Sequence, residues 1–317
     1  MNSALPSLHC RKNYYDGGYE MVSYDDFKEF MRIKAEEETG GRAKVSRVRK
    51  LNGVVLDGLT IMTTDSNISP AIYLNEFYDD FKNAPESDEE ALEIIWNSIR
   101  AYYYRHLPIK GLDVNDFMSW DLAKNKLVPR LINTKKNMEL LEDTVSIDLY
   151  DLSIIFVIKV GSDEFNGSIM VKKEHTDLWN VSAEEMYEIA LENIADDWKI
   201  TSMTEMLNEL GSGLMDCDEL GNMNIYVLSN KDGVYGASAM LNKDVFDNIK
   251  KTYGFDRIYI IPSSVHELLL IPADNQKLTV EYINMMIREV NMTTVGVTEI
   301  LSDNVYVYDI SKNKLVA

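Results

Sequence analysis

His266 is the residue of this 317-residue chain whose neighbours come nearest to a reaction centre: Ser263 and Ser264 precede it and Glu267 follows. A histidine that moves protons needs one ring nitrogen held by a carboxylate or carbonyl, which orients the other. Glu289, on a predicted helix, and Asp303, in a predicted turn, are the candidate carboxylates. Together these residues would suit a hydrolase-like proton transfer. A plainer reading puts residues 265–271 on a regular strand. His266 then shares a face with Leu268 and Leu270 as a hydrogen-bonded, half-buried side chain, and Glu267 points to the opposite face. Gly236 bears on both readings. A glycine inside the predicted strand 234–241 admits close backbone approach by a strand or a ligand, or else marks a bulge. Antiparallel packing would bring it beside Ser263, Ser264 and His266.

The other residue types capable of chemistry are scattered. His9, His106, His175 and His266 form no pair with metal-ligand spacing, and His266-Glu267 runs into an apolar stretch instead of an H-E-x-x-H helix. Asp216, Asp218 and Gly221 imitate the start of a calcium loop. The fifth and twelfth positions of that loop are Leu220 and Val227, which cannot ligate, so no metal is expected. No nucleophile elbow, P-loop or dinucleotide fingerprint occurs, and no cofactor is expected. Cys10 and Cys217 are too few for a disulfide scaffold and suggest a reducing compartment.

Charge narrows the choice of partners. Asp and Glu number 52 against 32 Lys and Arg, a net charge of −20, which repels phosphate backbones and anionic membranes at long range. The dense basic run Arg42, Lys44, Arg47, Arg49, Lys50 is better spent on acidic helices of the same chain than on nucleic acid. Tyr102, Tyr103 and Tyr104, with the many methionines, read as core and interface filler. No apolar run reaches the roughly 18 residues of a membrane span, and residues 1–20 lack the apolar stretch of a signal peptide, so a cytoplasmic protein is expected.

Local patterns supply the elements. Ser23 with Asp26, Ser87 with Glu90 and Ser182 with Glu185 mark helix starts. Trp96 and Trp198 are placed on inward helix stripes. Asn52-Gly53 joins strands 45–51 and 54–62 as a hairpin. Further hairpins are expected at 152–160 with 168–172, at 225–228 with 234–241, at 257–261 with 265–271, and at 297–301 with 305–308. Residues 107–143 read as short helices broken at Pro108 and Pro129. The expected class is α+β: antiparallel hairpins with packed helices in recurring β-β-α units. The expected division is a flexible N-terminus over 1–20, a domain over 21–210, an acidic linker over 211–222 and a second domain over 223–317.

Pro262-Ser263-Ser264-Val265-His266-Glu267, with residues 268–272 after it, resembles an uncharacterised bacterial group, domain-of-unknown-function family 5688. The likeness continues in Asn67-Ile68-Ser69-Pro70 with Tyr73-Leu74-Asn75, and in Tyr226-Val227-Leu228 with Asn230. It includes Tyr235-Gly236-Ala237, Arg288-Glu289-Val290-Asn291, and Leu301-Ser302-Asp303 with Val305-Tyr306. The resemblance implies an intracellular protein of anaerobic gut bacteria and assigns no activity, cofactor or catalytic residue. The favoured expectation is a non-enzymatic binding or interaction protein, accessory or regulatory, whose partner is another protein. The alternative is a hydrolase-like enzyme with its site around His266.

Overall fold

The computed structural model describes residues 22–63, 69–106, 117–162, 165–209, 224–273 and 278–316. His9, Cys10, Pro108, Asp216, Cys217, Asp218, the N-terminal residues 1–20 and the linker 211–222 lie outside the described residues. The architecture is α+β with antiparallel sheets.

The first core is built from local pieces. Helix α1 (Tyr24–Thr39) begins where the Ser23 hydroxyl accepts the Asp26 N–H, and it stops at Gly40 in the left-handed region. Phe27, Phe30, Met31 and Ala35 form its buried face. Strands β1 (Arg42–Arg49) and β2 (Val55–Met62) pair in register Arg49↔Val55 through Arg42↔Met62. Asn52 and Gly53 turn between them, both with positive φ, and β3 (Ala71–Tyr73) extends the sheet beside β2. Helices α2 (Leu74–Lys82) and α3 (Asp88–Arg105) close over this sheet. Trp96 of α3 is 1% exposed, and its indole N–H donates to Glu38 Oε1 at 2.7 Å. Tyr103 is buried and fits the expected filler role, while Tyr102 and Tyr104 are exposed. Of the basic run, Arg49 pairs with Glu139 at 2.8 Å and Lys50 lies over the Tyr73 ring at 4.3 Å. Arg42, Lys44 and Arg47 make no ion pair among the described residues.

A second core gathers residues from Phe117 to Ile310. Strand β4 (Leu127–Asn133) replaces the helices expected across Pro129. It is an edge strand, where alternate N–H groups face away from the neighbour, so a residue without an N–H is tolerated. The long β6 (Leu152–Ser162) pairs with β4 along one side. Along the other side it meets β5 (Ser146–Leu149) and then β7 (Phe165–Met170). Helix α4 (Lys173–Trp179) follows, then α5 (Ala183–Asn193), where the Ser182 hydroxyl accepts the Glu185 N–H at 3.1 Å. Helix α5 ends before Trp198, which is half-buried in the short irregular segment before residue 199 and not on a helical stripe.

The remaining strands form one six-stranded antiparallel sheet. Its members are β8 (Lys199–Ser202), β9 (Tyr226–Ser229), β10 (Arg257–Pro262), β11 (Leu268–Pro272), β12 (Tyr306–Asp309) and β13 (Lys314–Val316), in the order β13-β12-β10-β11-β9-β8. Because β8 pairs with β9, strands on both sides of 211–222 share this sheet, and the expected division there runs through one core. Helix α6 (Lys243–Tyr253), capped by Asn242, packs Val245, Phe246 and Ile249 into that core. Helix α7 (Val280–Thr293) buries Ile283 and Ile287 beside Val305, with Tyr259 and Ile261 of β10 packed against them. Hairpin followed by helix recurs at β10-β11-α7, as expected, and after β6-β7, where the expected helix at Ser182 is α5 and the unforeseen α4 comes between. Two expected strands, 234–241 and 297–301, are absent, and a third is shorter than expected. Gly236–Leu241 is a 3-10 turn, β11 begins at Leu268 and leaves His266 in the preceding loop, and β12 pairs with β10 and β13 instead of residues 297–301. Among the described residues no helix is long and apolar enough to cross a membrane.

Candidate functional site around His266

The site is assembled at the end of β9. There the Asn230 side chain closes a turn on Val234, accepting its N–H at 3.1 Å and donating to its carbonyl at 2.9 Å. The chain then passes through Tyr235 in the left-handed region, φ 55°. A bulky residue rarely occupies this region, because its Cβ crowds the following carbonyl. Gly236 comes next, against the loop that carries His266. A Cβ built there would lie 2.1 Å from Ser229 Oγ, 2.4 Å from Asn230 N and 2.7 Å from the His266 carbonyl oxygen. The glycine is thus a point of close backbone approach, crowded by the end of β9 at Ser229 and Asn230 and by the His266 loop. Ser229 Oγ donates to the same carbonyl at 2.8 Å, and the Ala237 N–H donates to Val265 O at 3.3 Å.

The loop 263–267 is held by its own hydroxyl and backbone. Ser264 Oγ accepts the His266 N–H at 3.0 Å, and the Ser264 N–H donates to Glu267 O at 3.1 Å. Ser263 Oγ contacts Glu267 Oε1 at 3.5 Å. These contacts occupy the two serines with the loop itself and point neither hydroxyl at the imidazole.

His266 Nδ1 accepts the Tyr235 N–H at 3.1 Å. An acceptor at Nδ1 fixes the neutral ring with its proton on Nε2. The carboxylate facing Nε2 is Glu299, at 3.9 Å, beyond hydrogen-bond reach, and the His266 side chain is 31% exposed. A base that accepts a proton at Nε2 needs the opposite arrangement, with Nδ1 donating to a fixed oxygen. What this geometry does well is hold a backbone: one imidazole pins the strained Tyr235 N–H.

Asp303 and Glu289 are placed elsewhere. Asp303 Oδ1 accepts from Asn291 Nδ2 at 2.8 Å, and Glu289 is exposed on α7. Glu299 had no local signal. It reaches the loop because the Val265 N–H donates to its carbonyl at 2.9 Å, which anchors the 3-10 turn Val297–Glu299 beside His266. That segment is also the acceptor for Asn52, whose Nδ2 donates to the carbonyls of Val297 and Ile300, both at 2.8 Å. The residues of the β1–β2 turn and the His266 loop therefore brace one short stretch from two sides.

The remaining described histidines stand apart. His106 Nδ1 lies 2.8 Å from Tyr102 O at the end of α3. His175 Nδ1 accepts the Lys172 N–H at 2.9 Å at the start of α4, and burial pushes its pKa down. Two residues that sequence reasoning did not name as site candidates lie beside the His266 site. Tyr235 is one. Arg130 of β4 is the other, its guanidinium carbon lying over the Tyr235 ring at 3.7 Å from the centroid.

Comparison with curated proteins and with solved structures gives no match in either case. The family model for a family of unknown function, DUF5688, matches residues 24–310, from the first residue of α1 past the end of β12, and the chain belongs to that family.

Proposed function

We propose that this protein is a non-enzymatic interaction protein of the bacterial cytoplasm, accessory or regulatory, and that α7 carries its contact surface. The supporting observation is the outward face of that helix. Tyr282, Met285, Met286 and Val290 recur at three- and four-residue spacing and are exposed, with Met285 at 56% and Met292 at 84%. The buried stripe Ile283, Ile287, Asn291 lies on the other side of the helix. An apolar helix face of this kind suits insertion into a groove, and unbranched methionines adapt to the shape they meet. The occupant we infer is a protein presenting an apolar groove rimmed by lysine and arginine. The net charge of −20 attracts such a rim and repels a second copy of this chain, as well as nucleic acid.

The hydrolase-like reading centred on His266 has less support, because its Nδ1 is an acceptor and Ser263 and Ser264 are engaged within their own loop. A photo-crosslinking residue at position 285 tests the proposal, with one on the exposed face of α5, at Glu184, as control. Adducts to one basic protein at 285, absent at 184 and lost on adding Met286→Asp, are expected. Equal adducts at both positions, or adducts only between copies of this chain, would refute it.

A further inference from the structure

Among the described residues Arg130 is a cation without an acceptor. It makes no hydrogen bond and no ion pair among the described residues, although a guanidinium carries five N–H donors. It sits half-buried on β4, and burial, its largest perturbation, works against its charge while the Tyr235 hydroxyl favours it. The stacking partner is rigid. Tyr235 is pinned by its N–H to His266 Nδ1 at 3.1 Å and by its carbonyl, which accepts from Ser238 Oγ at 3.0 Å. One side of the guanidinium is therefore covered by a ring carried on a fixed backbone, and its outer N–H groups are left to bind.

Beside it lies a recess of about 20 Å³, lined among others by Arg130, Tyr235, Lys159, Asp197, Asn230 and Ser238, with room for about one water-sized group. The other polar side chains there are committed. Lys159 lies 3.5 Å from Asp197 and 3.6 Å from Asp232. Asn230 is turned onto Val234, Ser238 donates to Tyr235, and Asp197 Oδ1 accepts the Lys231 N–H at 3.2 Å. Arg130 holds the spare donors.

We propose that Arg130, braced by Tyr235, is a binding site for a single carboxylate, gripped through the in-plane N–H pair while the rest of the ligand stays in solvent. A planar monoanion matches the guanidinium fork. A phosphate dianion brings a second charge that meets Asp197 and, among the described residues, no second free cation. The carboxylate belongs to a small organic acid or to a peptide C-terminus, and both present the same two oxygens. The site is separate from the α7 surface and stands or falls without it.

The test is an NMR titration of the intact chain at constant ionic strength, following the Arg130 Nε–H and the Tyr235 backbone amide. Sodium acetate, inorganic phosphate, acetyl-triglycine and acetyl-triglycine amide are the probes. A saturable shift with acetate, and none with phosphate or the amide, is expected. Acetyl-triglycine binding tighter than acetate identifies the peptide source, and equal binding the free acid. In Arg130→Gln, read at the Tyr235 amide, affinity should fall at least about tenfold, and Arg130→Lys should fall between. No saturable shift with acetate, or phosphate binding more tightly than acetate, overturns the proposal. The wild-type titration decides the matter alone if the variants do not fold.

Discussion

Replacing Gly236 by alanine sets two principles against each other. The residue opens a 3-10 turn with ordinary negative φ, so backbone propensity alone makes alanine the better choice by about 1 kcal/mol. Packing demands the reverse. The new methyl would stand 2.1 Å from Ser229 Oγ, 2.4 Å from Asn230 N and 2.7 Å from the His266 carbonyl oxygen, and two of those atoms are backbone. Overpacking of this kind costs about 1–3 kcal/mol. Displacing Ser229 Oγ also breaks its bond to His266 O, worth about 1 kcal/mol. We expect a net loss of about 1–3 kcal/mol in Gly236→Ala. At a urea slope of about 2 kcal/mol/M, the midpoint falls by about 0.5–1.5 M. Gly254→Ala is the comparison. Its φ is +75° and no atom lies within 4 Å, so it should lose only about 1 kcal/mol, from backbone strain. Adding Ser229→Ala to Gly236→Ala should recover part of the loss, since the two backbone contacts remain. Urea unfolding followed by tryptophan fluorescence measures all four proteins. A Gly236→Ala variant as stable as wild type, or more so, would refute the close approach of the His266 loop.

Trp96→Ala should cost about 3–5 kcal/mol in the same assay, as expected for a buried large aromatic, whereas half-buried Trp198→Ala should cost about 1–2 kcal/mol. Asn52→Ala should cost about 4 kcal/mol, roughly 1 for each of its side-chain bonds (to Val297, to Ile300 and from Asn137) and 1 for losing an asparagine, which tolerates φ 58° better than alanine. Asn52→Gly removes only the bonds and should cost about 1 kcal/mol less, and equal losses would show that the backbone strain is negligible. The Tyr306 hydroxyl is held above its ordinary pKa of 10.0 by burial and by its hydrogen bond to Asp151. Above pH 10 the unfolded tyrosine releases a proton that the folded one keeps, so stability present below that pH declines as pH rises. Unfolding midpoints measured from pH 8 to 11 should therefore drop less steeply in Tyr306→Phe than in wild type, and parallel slopes would contradict the assignment.

What could be read from the chain was what neighbouring residues decide among themselves. Asn52-Gly53 takes the two positive φ values of a hairpin turn, and Ser23 and Ser182 accept the N–H groups their spacing predicts. Trp96 follows from a helical stripe that needed only its own helix. The misreadings share a cause. Residues 234–241 alternate like a strand, but Asn230 captures Val234 and throws Tyr235 into the left-handed region, so the segment coils into a 3-10 turn. Pro129 looks like a helix stop and is instead an edge-strand residue, a distinction that depends on β6 alone being its neighbour. Among the candidate site residues, Ser263, Ser264 and His266 share one loop because they are adjacent in sequence, and Gly236 meets that loop as its chemistry suggested. Glu299 and Arg130 could not be found this way. Each matters through a contact with a segment far along the chain, and no periodicity records such contacts.

The unequal reach of the two cores has a consequence during synthesis. The first closes entirely within residues 27–103, so it can form while later residues are still being added. The second needs Phe117 and Ile310 together, and its sheet cannot set β10 between β11 and β12 until the last strands are made. At about 5–20 residues per second, the core that β6 joins waits roughly 8–30 seconds for its last members near Ile310. Through that interval, the acidic surface of the growing chain is what keeps neighbouring nascent copies apart, which gives the excess of 52 acidic over 32 basic residues a role before the fold exists.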